Sequence, residues 1–216
     1  MLIGLMGQIG SGKGTAADFL VDKGFKKDSF AAPLKDSVSA IFNWDREMLE
    51  GETPESRVWR EQEDKYWSEV FNKRITPRNV LQVFGTDIVR NNFHKNIWVE
   101  SFIKRYKDNP VDTVVADVRF PNEMQAIKKL GGKLYQVKRG EDPKWMSYVK
   151  EVYHKGLGNS NLSNIVSNVS ELVGIKLPHK SEWVWLEAES LIDEVIENSG
   201  TLKEFNQKIN QIITQL

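Results

Sequence analysis

The sequence predicts an α/β fold around a mostly parallel sheet, and three apolar runs predict it. Leu2–Met6 ends at Gly7 and is followed at once by a helical pattern. Thr113–Ala116 ends at Asp117, and Leu134–Val137 ends at Arg139. Helical stretches separate the three, and strands alternating with helices are the pattern of parallel crossover units.

The elements follow in order. Leu2–Met6 reads as a central strand, because it is apolar throughout. Lys13–Lys23 reads as a helix with Ala16, Ala17, Phe19, Leu20 and Val21 on its apolar face and Gly24 as its stop. Phe25–Phe30 is a weak second strand. Pro33 suits a helix start, with Leu34, Val38, Ile41 and Phe42 at helical spacing. Glu47–Lys73 is highly charged, is interleaved with Trp59, Tyr66, Trp67 and Phe71, and is predicted helical and partly solvent-facing. Thr76 is the expected N-cap of the next helix, with Pro77 at its first position. There Leu81, Phe84 and Ile88 share one face, and Arg78, Gln82 and Thr86 share another, within about 80° of each other. Ile97–Tyr106 continues as helix. After the strand at Thr113–Ala116 comes a helix over Glu123–Leu130, closed by Gly131 and Gly132, and then the strand Leu134–Val137. Leu191–Ile196 is the expected last strand. Thr201–Gln215 is a terminal helix with Leu202, Phe205, Ile209, Ile212 and Ile213 apolar. Gly140–Pro178, with its run GNSNLSNIVSN, breaks the pattern and reads as an insertion.

Composition narrows the function classes. The 216 residues carry 30 Lys+Arg and 30 Asp+Glu, so the formal net charge is zero and a chain that coats nucleic acid is disfavoured. There are no cysteines, which excludes disulfides, thiol catalysis and thiolate metal sites. The 3 histidines, His94, His154 and His179, are far apart, which argues against a histidine-built zinc site. No run approaches the roughly 20 apolar residues of a membrane span. The apolar start lacks a basic leader and reads as a buried strand rather than a signal peptide. The expected location is the cytoplasm.

The strongest chemical signal is Gly7-Gln8-Ile9-Gly10-Ser11-Gly12-Lys13-Gly14-Thr15. It follows an apolar strand and opens a helix, the context that a phosphate-binding loop requires. Glycines let the backbone fold around a phosphate chain and turn N–H groups inward, while the helix N-terminus adds a positive dipole end. Gly10, Ser11, Gly12, Lys13, Gly14 and Thr15 are the candidate phosphate contacts, with Lys13 reaching the β- and γ-phosphates. The hydroxyl usually found directly after the lysine comes one residue later, at Thr15. That leaves open whether Thr15 meets Mg²⁺ or a phosphate. The spelling GxxGxGKGT resembles adenylate-kinase-type nucleoside monophosphate kinases.

Asp117 lies at a strand's C-terminal end, where open α/β sheets place ligands. A carboxylate there can hold Mg²⁺ through water, and Arg119 can grip a phosphate bidentately. Glu123 falls in the first turn of the following helix, where a carboxylate is stabilising in itself.

Four blocks together resemble the phage-type deoxynucleoside monophosphate kinases, a branch of the P-loop kinases. They are GQIGSGKGTAADFL with SFAAPLKD, then RNVLQVFGTDIVRNNFHKNIWV, then VVADVRFPNEMQAIKKLGGKLYQVKRG, and, more weakly, HKSE with IENSGTLKEF. The second and third are the specific ones. The resemblance implies a P-loop kinase three-layer fold with a helical monophosphate-binding segment and a lid insertion. It implies transfer of the ATP γ-phosphoryl to a deoxynucleoside monophosphate (dNMP), giving the diphosphate and ADP, with Mg²⁺.

The same resemblance assigns roles. Lys13, Asp117 and Arg119 would be catalytic, with Thr15 and Asp117 nearest the metal. Pro33, Lys35, Arg78, Gln82, Gly85, Thr86, Arg90 and Glu123 would hold the dNMP. Arg139 would serve the ATP phosphates from the lid side, with His179, Ser181 and Glu182 as lid candidates. The implied organisation is a single domain over 1–216, with its core at 1–44, 76–139 and 183–216, a helical substrate segment at 45–75 and a lid at 140–182. The expected partners are small-molecule ATP and dNMP, with no nucleic-acid polymer and no membrane; a homodimer stays open. Two alternatives also stay open: a P-loop kinase for another small acceptor, such as dephospho-coenzyme A, and a nucleotide-hydrolysing switch protein.

Overall fold

The computed structural model describes residues 1–155, 174, 177–178 and 182–214. They hold one sheet of five parallel strands, β1 (Leu2–Met6), β2 (Lys26–Asp28), β3 (Thr113–Val115), β4 (Lys133–Lys138) and β5 (Glu194–Glu197), in the order β2-β3-β1-β4-β5. β1 and β3 are buried along their whole length, as central strands covered on both faces must be. β5, at an edge, buries Ile196 alone.

The chain divides into two compact units, one of Met1–Asp28 with Val111–Leu216 and the other of Ser29–Pro110. In the first, side chains alternate across the sheet. Ile3, Leu5, Val114, Tyr135 and Val137 pack with α1 (Lys13–Asp22) and with Phe205, Ile209 and Ile212 of α9 (Leu202–Thr214). On the opposite face Gly4 lies against Leu134, Val118 and Ile127, the last from α7 (Pro121–Lys129). A 3₁₀ stretch, Val184–Leu191, covers α7 with Trp183, Val184, Trp185 and Leu186 buried, and α8 (Lys144–Lys155) packs on it.

β1 leads through α1 to β2 on one side, and β3 leads through α7 to β4 on the other. Neighbouring strands with opposite exits open a crevice at their C-terminal ends. The parallel registers place Gly4 beside Val115, Met6 beside Gln136 and Lys138 beside Glu197. The stretches after β1, β3, β4 and β5 therefore all leave at one edge.

The Ser29–Pro110 unit is helical: α2 (Ala32–Phe42), a 3₁₀ turn Met48–Glu50, α3 (Pro54–Glu61), α4 (Lys65–Val70), α5 (Pro77–Gln82), a π-helical stretch Val83–Arg90 and α6 (Ile97–Asp108). Its core is Leu34, Val38, Phe42, Trp44, Leu49, Ile75 and Val80, walled by Trp59, Trp67, Leu81, Phe84 and Trp98. Thr76 caps α5 as expected, accepting from the Asn79 N–H at 3.1 Å, with Pro77 in the first turn.

Several expectations are corrected. Glu47–Lys73 is two short helices and a 3₁₀ turn, because Thr53 and Asp64 each cap a new start. Ile88 is 47% exposed, since the i→i+5 turns of the π stretch rotate it off the Leu81 face. Val21, Ile41 and Leu202 are exposed too, at the rims of apolar stripes that other residues fill. Leu191 belongs to the 3₁₀ stretch and β5 begins at Glu194, because Asp193 turns its carboxylate to Lys128, Lys133 and the Leu134 N–H. The break predicted from Gly140 contains a helix, α8, fixed by ion pairs from Lys138 and Lys150 to Asp142. No described helix is long and apolar enough to cross a membrane.

Candidate active site

The loop after β1 has the backbone that its glycines permit. Gly7, Gly10 and Gly12 all have positive φ, at 140°, 80° and 107°. A Cβ at Gly7 would also meet the Val137 carbonyl oxygen at 2.2 Å. Gly12 is the N-cap of α1, so the first N–H groups of that helix have no partner within it. Gly14 and Thr15, in the first turn, are exposed.

Lys13 turns back over the loop. Its Nζ donates to the carbonyls of Gly7 at 2.8 Å and Gln8 at 2.7 Å. Burial lowers its pKa to about 8, Arg119 adds to the effect, and Glu182 opposes it. The site thus concentrates positive charge in a partly dry place, which an anion relieves. Ser11 is buried, and its Oγ has no hydrogen-bond partner among the described residues. The helix-terminal N–H groups, a hydroxyl with no partner among the described residues and the cations Lys13 and Arg119 fit a polyphosphate.

Asp117 and Arg119 leave β3 at the same edge. Arg119 Nη1 donates to Glu182 Oε1 at 2.6 Å, a pair with the carboxylate largely buried. Glu123 is 4% exposed, and its Oε2 accepts from the N–H groups of Arg119 at 2.8 Å and Phe120 at 3.0 Å. It therefore shapes the turn that carries Arg119. Arg139 lines an open cleft whose other wall is Gln8–Ser11. The described residues hold no cluster of three or more His, Cys, Asp or Glu suited to a metal. Thr15, exposed in the first turn of α1, and Asp117, after β3, offer oxygen ligands of the kind that Mg²⁺ takes few at a time beside its waters. His179 and Ser181 lie outside the described residues.

The Ser29–Pro110 unit holds the other predicted residues. Lys35, with its side chain 13% exposed, pairs with Glu50, which also takes Arg46. Burial pushes the Glu50 carboxyl up, but Lys35 and Arg46 outweigh it and hold it below the usual range. Pro33 stands in the first turn of α2. Arg78 is exposed and pairs with Glu61 at 3.2 Å. Gln82 and Thr86 are exposed, and Arg90 is half-buried. Gly85 is buried against α2: a Cβ there would sit 2.6 Å from Leu34 Cδ2, and its carbonyl accepts from Trp98 Nε1 at 2.9 Å.

Sequence reasoning missed Glu50, the counter-charge of Lys35, because the pair spans 15 positions with no periodic signal. It also gave no role to Asn198, although the stretch IENSG directly follows an expected strand end.

The family model for deoxynucleotide monophosphate kinase matches residues 47–177, more than half of the chain and downstream of the phosphate loop. A protein of Acanthamoeba polyphaga mimivirus described as a deoxynucleotide monophosphate kinase is 40% identical over 152 residues, 64% of this chain and 74% of that one. The deoxynucleoside-5'-monophosphate kinase of Escherichia phage T5 is 26% identical over 182 residues, 60% of this chain and 72% of that one. Among solved structures, the dephospho-CoA kinase from Campylobacter jejuni aligns over 99% of this chain and 96% of its own, at 15% identity and a TM-score of 0.46. With the family model matching more than half of its residues, the chain belongs to the deoxynucleotide monophosphate kinase family and is a phosphotransferase.

Proposed function

We propose that the chain transfers the γ-phosphoryl group of ATP to a deoxynucleoside 5′-monophosphate. The observation that carries this is the half-buried Lys13, beside Arg119, in a glycine-shaped phosphate loop of a chain from this family. The relatives named for the same acceptor class support it.

An oxygen of the acceptor's phosphate attacks the γ-phosphorus in line as the bond to the β-bridging oxygen breaks, and ADP leaves. The reaction needs no protein nucleophile; it needs positioning and charge. The N–H groups of Gly10 and of Gly12–Thr15 bind the donor's phosphates, and Lys13 steadies the charge that grows on the transferred group. Arg119 exchanges Glu182 for phosphate oxygens, and Arg139 binds the donor from the end of β4. Thr15 and Asp117 would hold magnesium, which would supply charge neutralisation to the donor's phosphates. Pro33, Lys35, Arg78, Gln82, Gly85, Thr86 and Arg90 bind the acceptor. The unit with the sheet is the donor unit, and the helical unit is the acceptor unit. Glu123 serves by holding the Arg119 turn.

The test is ADP release with ATP and Mg²⁺ over a panel of deoxy- and ribonucleoside monophosphates plus dephospho-coenzyme A. Turnover with at least one dNMP is expected. Turnover with dephospho-coenzyme A alone, or ADP release at the same rate without any acceptor, overturns the reading.

A further inference from the structure

The open cleft at the C-terminal edge of the sheet has two walls, Gln8–Ser11 of the phosphate loop and Gln136–Asp142 running out of β4. Both are tied to one residue. Asn198, the first residue after β5, donates its main-chain N–H to the Lys138 carbonyl at 2.7 Å. Its side-chain Nδ2 donates to the Ser11 carbonyl at 2.8 Å. Gly12 leaves space for that contact, because a Cβ there would lie 2.3 Å from Nδ2.

The Ser11 carbonyl belongs to the peptide that also carries the Gly12 N–H. That peptide is trans, as no cis bond occurs among the described residues, so its C=O and N–H point in opposite directions. A carbonyl drawn to Asn198 turns the Gly12 N–H away from it. Lys13 meanwhile occupies the carbonyls of Gly7 and Gln8. Three of the loop's carbonyls, those of Gly7, Gln8 and Ser11, are thereby engaged by side chains.

We infer that Asn198 is a positioning residue for the donor: its carboxamide holds the Ser11–Gly12 peptide with the N–H turned to the phosphates of ATP. The inference rests on the reading of this loop as the ATP site. It concerns the side chain alone, because the tie to Lys138 is main-chain and survives substitution. The requirement is for a donor. Asn198→Asp keeps the shape but sets a charged acceptor against a carbonyl and beside a phosphate, so it is worse than Asn198→Ala.

The experiment is calorimetric titration of the whole chain and both variants with the non-hydrolysable analogue AMPPNP and with pyrophosphate. In parallel, KM is measured for an equimolar mixture of dAMP, dCMP, dGMP and dTMP. Asn198→Ala is expected to weaken AMPPNP binding about five- to tenfold, the scale of one hydrogen bond, and Asn198→Asp by more. The KM for the mixture stays within about twofold of wild type, a split that a merely structural role does not give. Equal AMPPNP affinity in all three proteins overturns the inference. So do parallel losses for donor and acceptor that track the melting temperature. A wild-type chain that binds neither AMPPNP nor pyrophosphate removes the ATP-site reading itself. Should both variants fail to fold, the wild-type side-chain amide of Asn198 decides by ¹⁵N NMR. Slowed hydrogen exchange, slowed further by AMPPNP, supports the tie, and exchange at the solvent rate refutes it.

Discussion

Two lysines, one in each unit, show how differently the two parts treat charge. Lys13 is held by main-chain carbonyls, which satisfy its donors without cancelling its charge, and burial beside Arg119 leaves its pKa near 8. Lys35 is paired with Glu50, a full carboxylate that Arg46 also shares. Lys13 therefore waits for an anion, whereas Lys35 already has one and must exchange it. On the proposed reading, the donor side is preformed and charge-hungry, and on the acceptor side Lys35 is paired until substrate displaces its internal partner.

The sharpest way to break that comparison is Lys13→Ala. Turnover is expected to fall at least about 10²- to 10³-fold, the scale of a lost transition-state contact, with the far-ultraviolet spectrum unchanged. Unaltered turnover would remove the loop from the reaction.

The next effect is pH-dependent. Ligand-free Lys13 loses its proton as pH rises through about 8. Bound phosphates favour the protonated form and raise that value, so above it binding must take up a proton. ATP affinity is expected to fall above that pH, approaching tenfold per pH unit. Titration in buffers of different ionisation enthalpy should show proton uptake at pH 9 and little at pH 7. Affinity that is flat across this range would mean that Lys13 is not the group that meets the phosphates.

Glu50→Gln tests the other unit. Freed from its carboxylate, Lys35 should bind the acceptor's phosphate more readily, lowering the dNMP KM about three- to tenfold at low salt and leaving the ATP KM alone. A raised dNMP KM would show instead that Glu50 orients Lys35 for the substrate.

The smallest effect concerns packing. Gly85→Ala pushes a methyl into buried Leu34, so a loss of about 1–3 kcal/mol in urea unfolding is expected. A neutral result would assign Gly85 to substrate contact rather than to the closeness of α2.

Much of the fold was legible because the central strands are buried on both faces and therefore carry unbroken apolar runs. Leu2–Met6 and the Thr113 run announced themselves in that way, and so did the loop that follows the first. β2 is three residues long and β5 buries one side chain, so their limits could not be read from periodicity. The π stretch at Val83–Arg90 was invisible because its pattern mimics a regular helix up to Phe84. In the candidate site, backbone signatures pointed to Lys13 and Arg119, glycines for one and a strand end for the other. Glu50 and Asn198 act by long-range pairing, which leaves no local mark.

The most direct measurement is a single turnover with ATP labelled at the γ-phosphate, Mg²⁺ and the four dNMPs, followed by separation of products. Label appearing in a deoxynucleoside diphosphate, and vanishing from it in Lys13→Ala, is the predicted result. Label found only in inorganic phosphate, released equally fast without dNMP, would contradict the account.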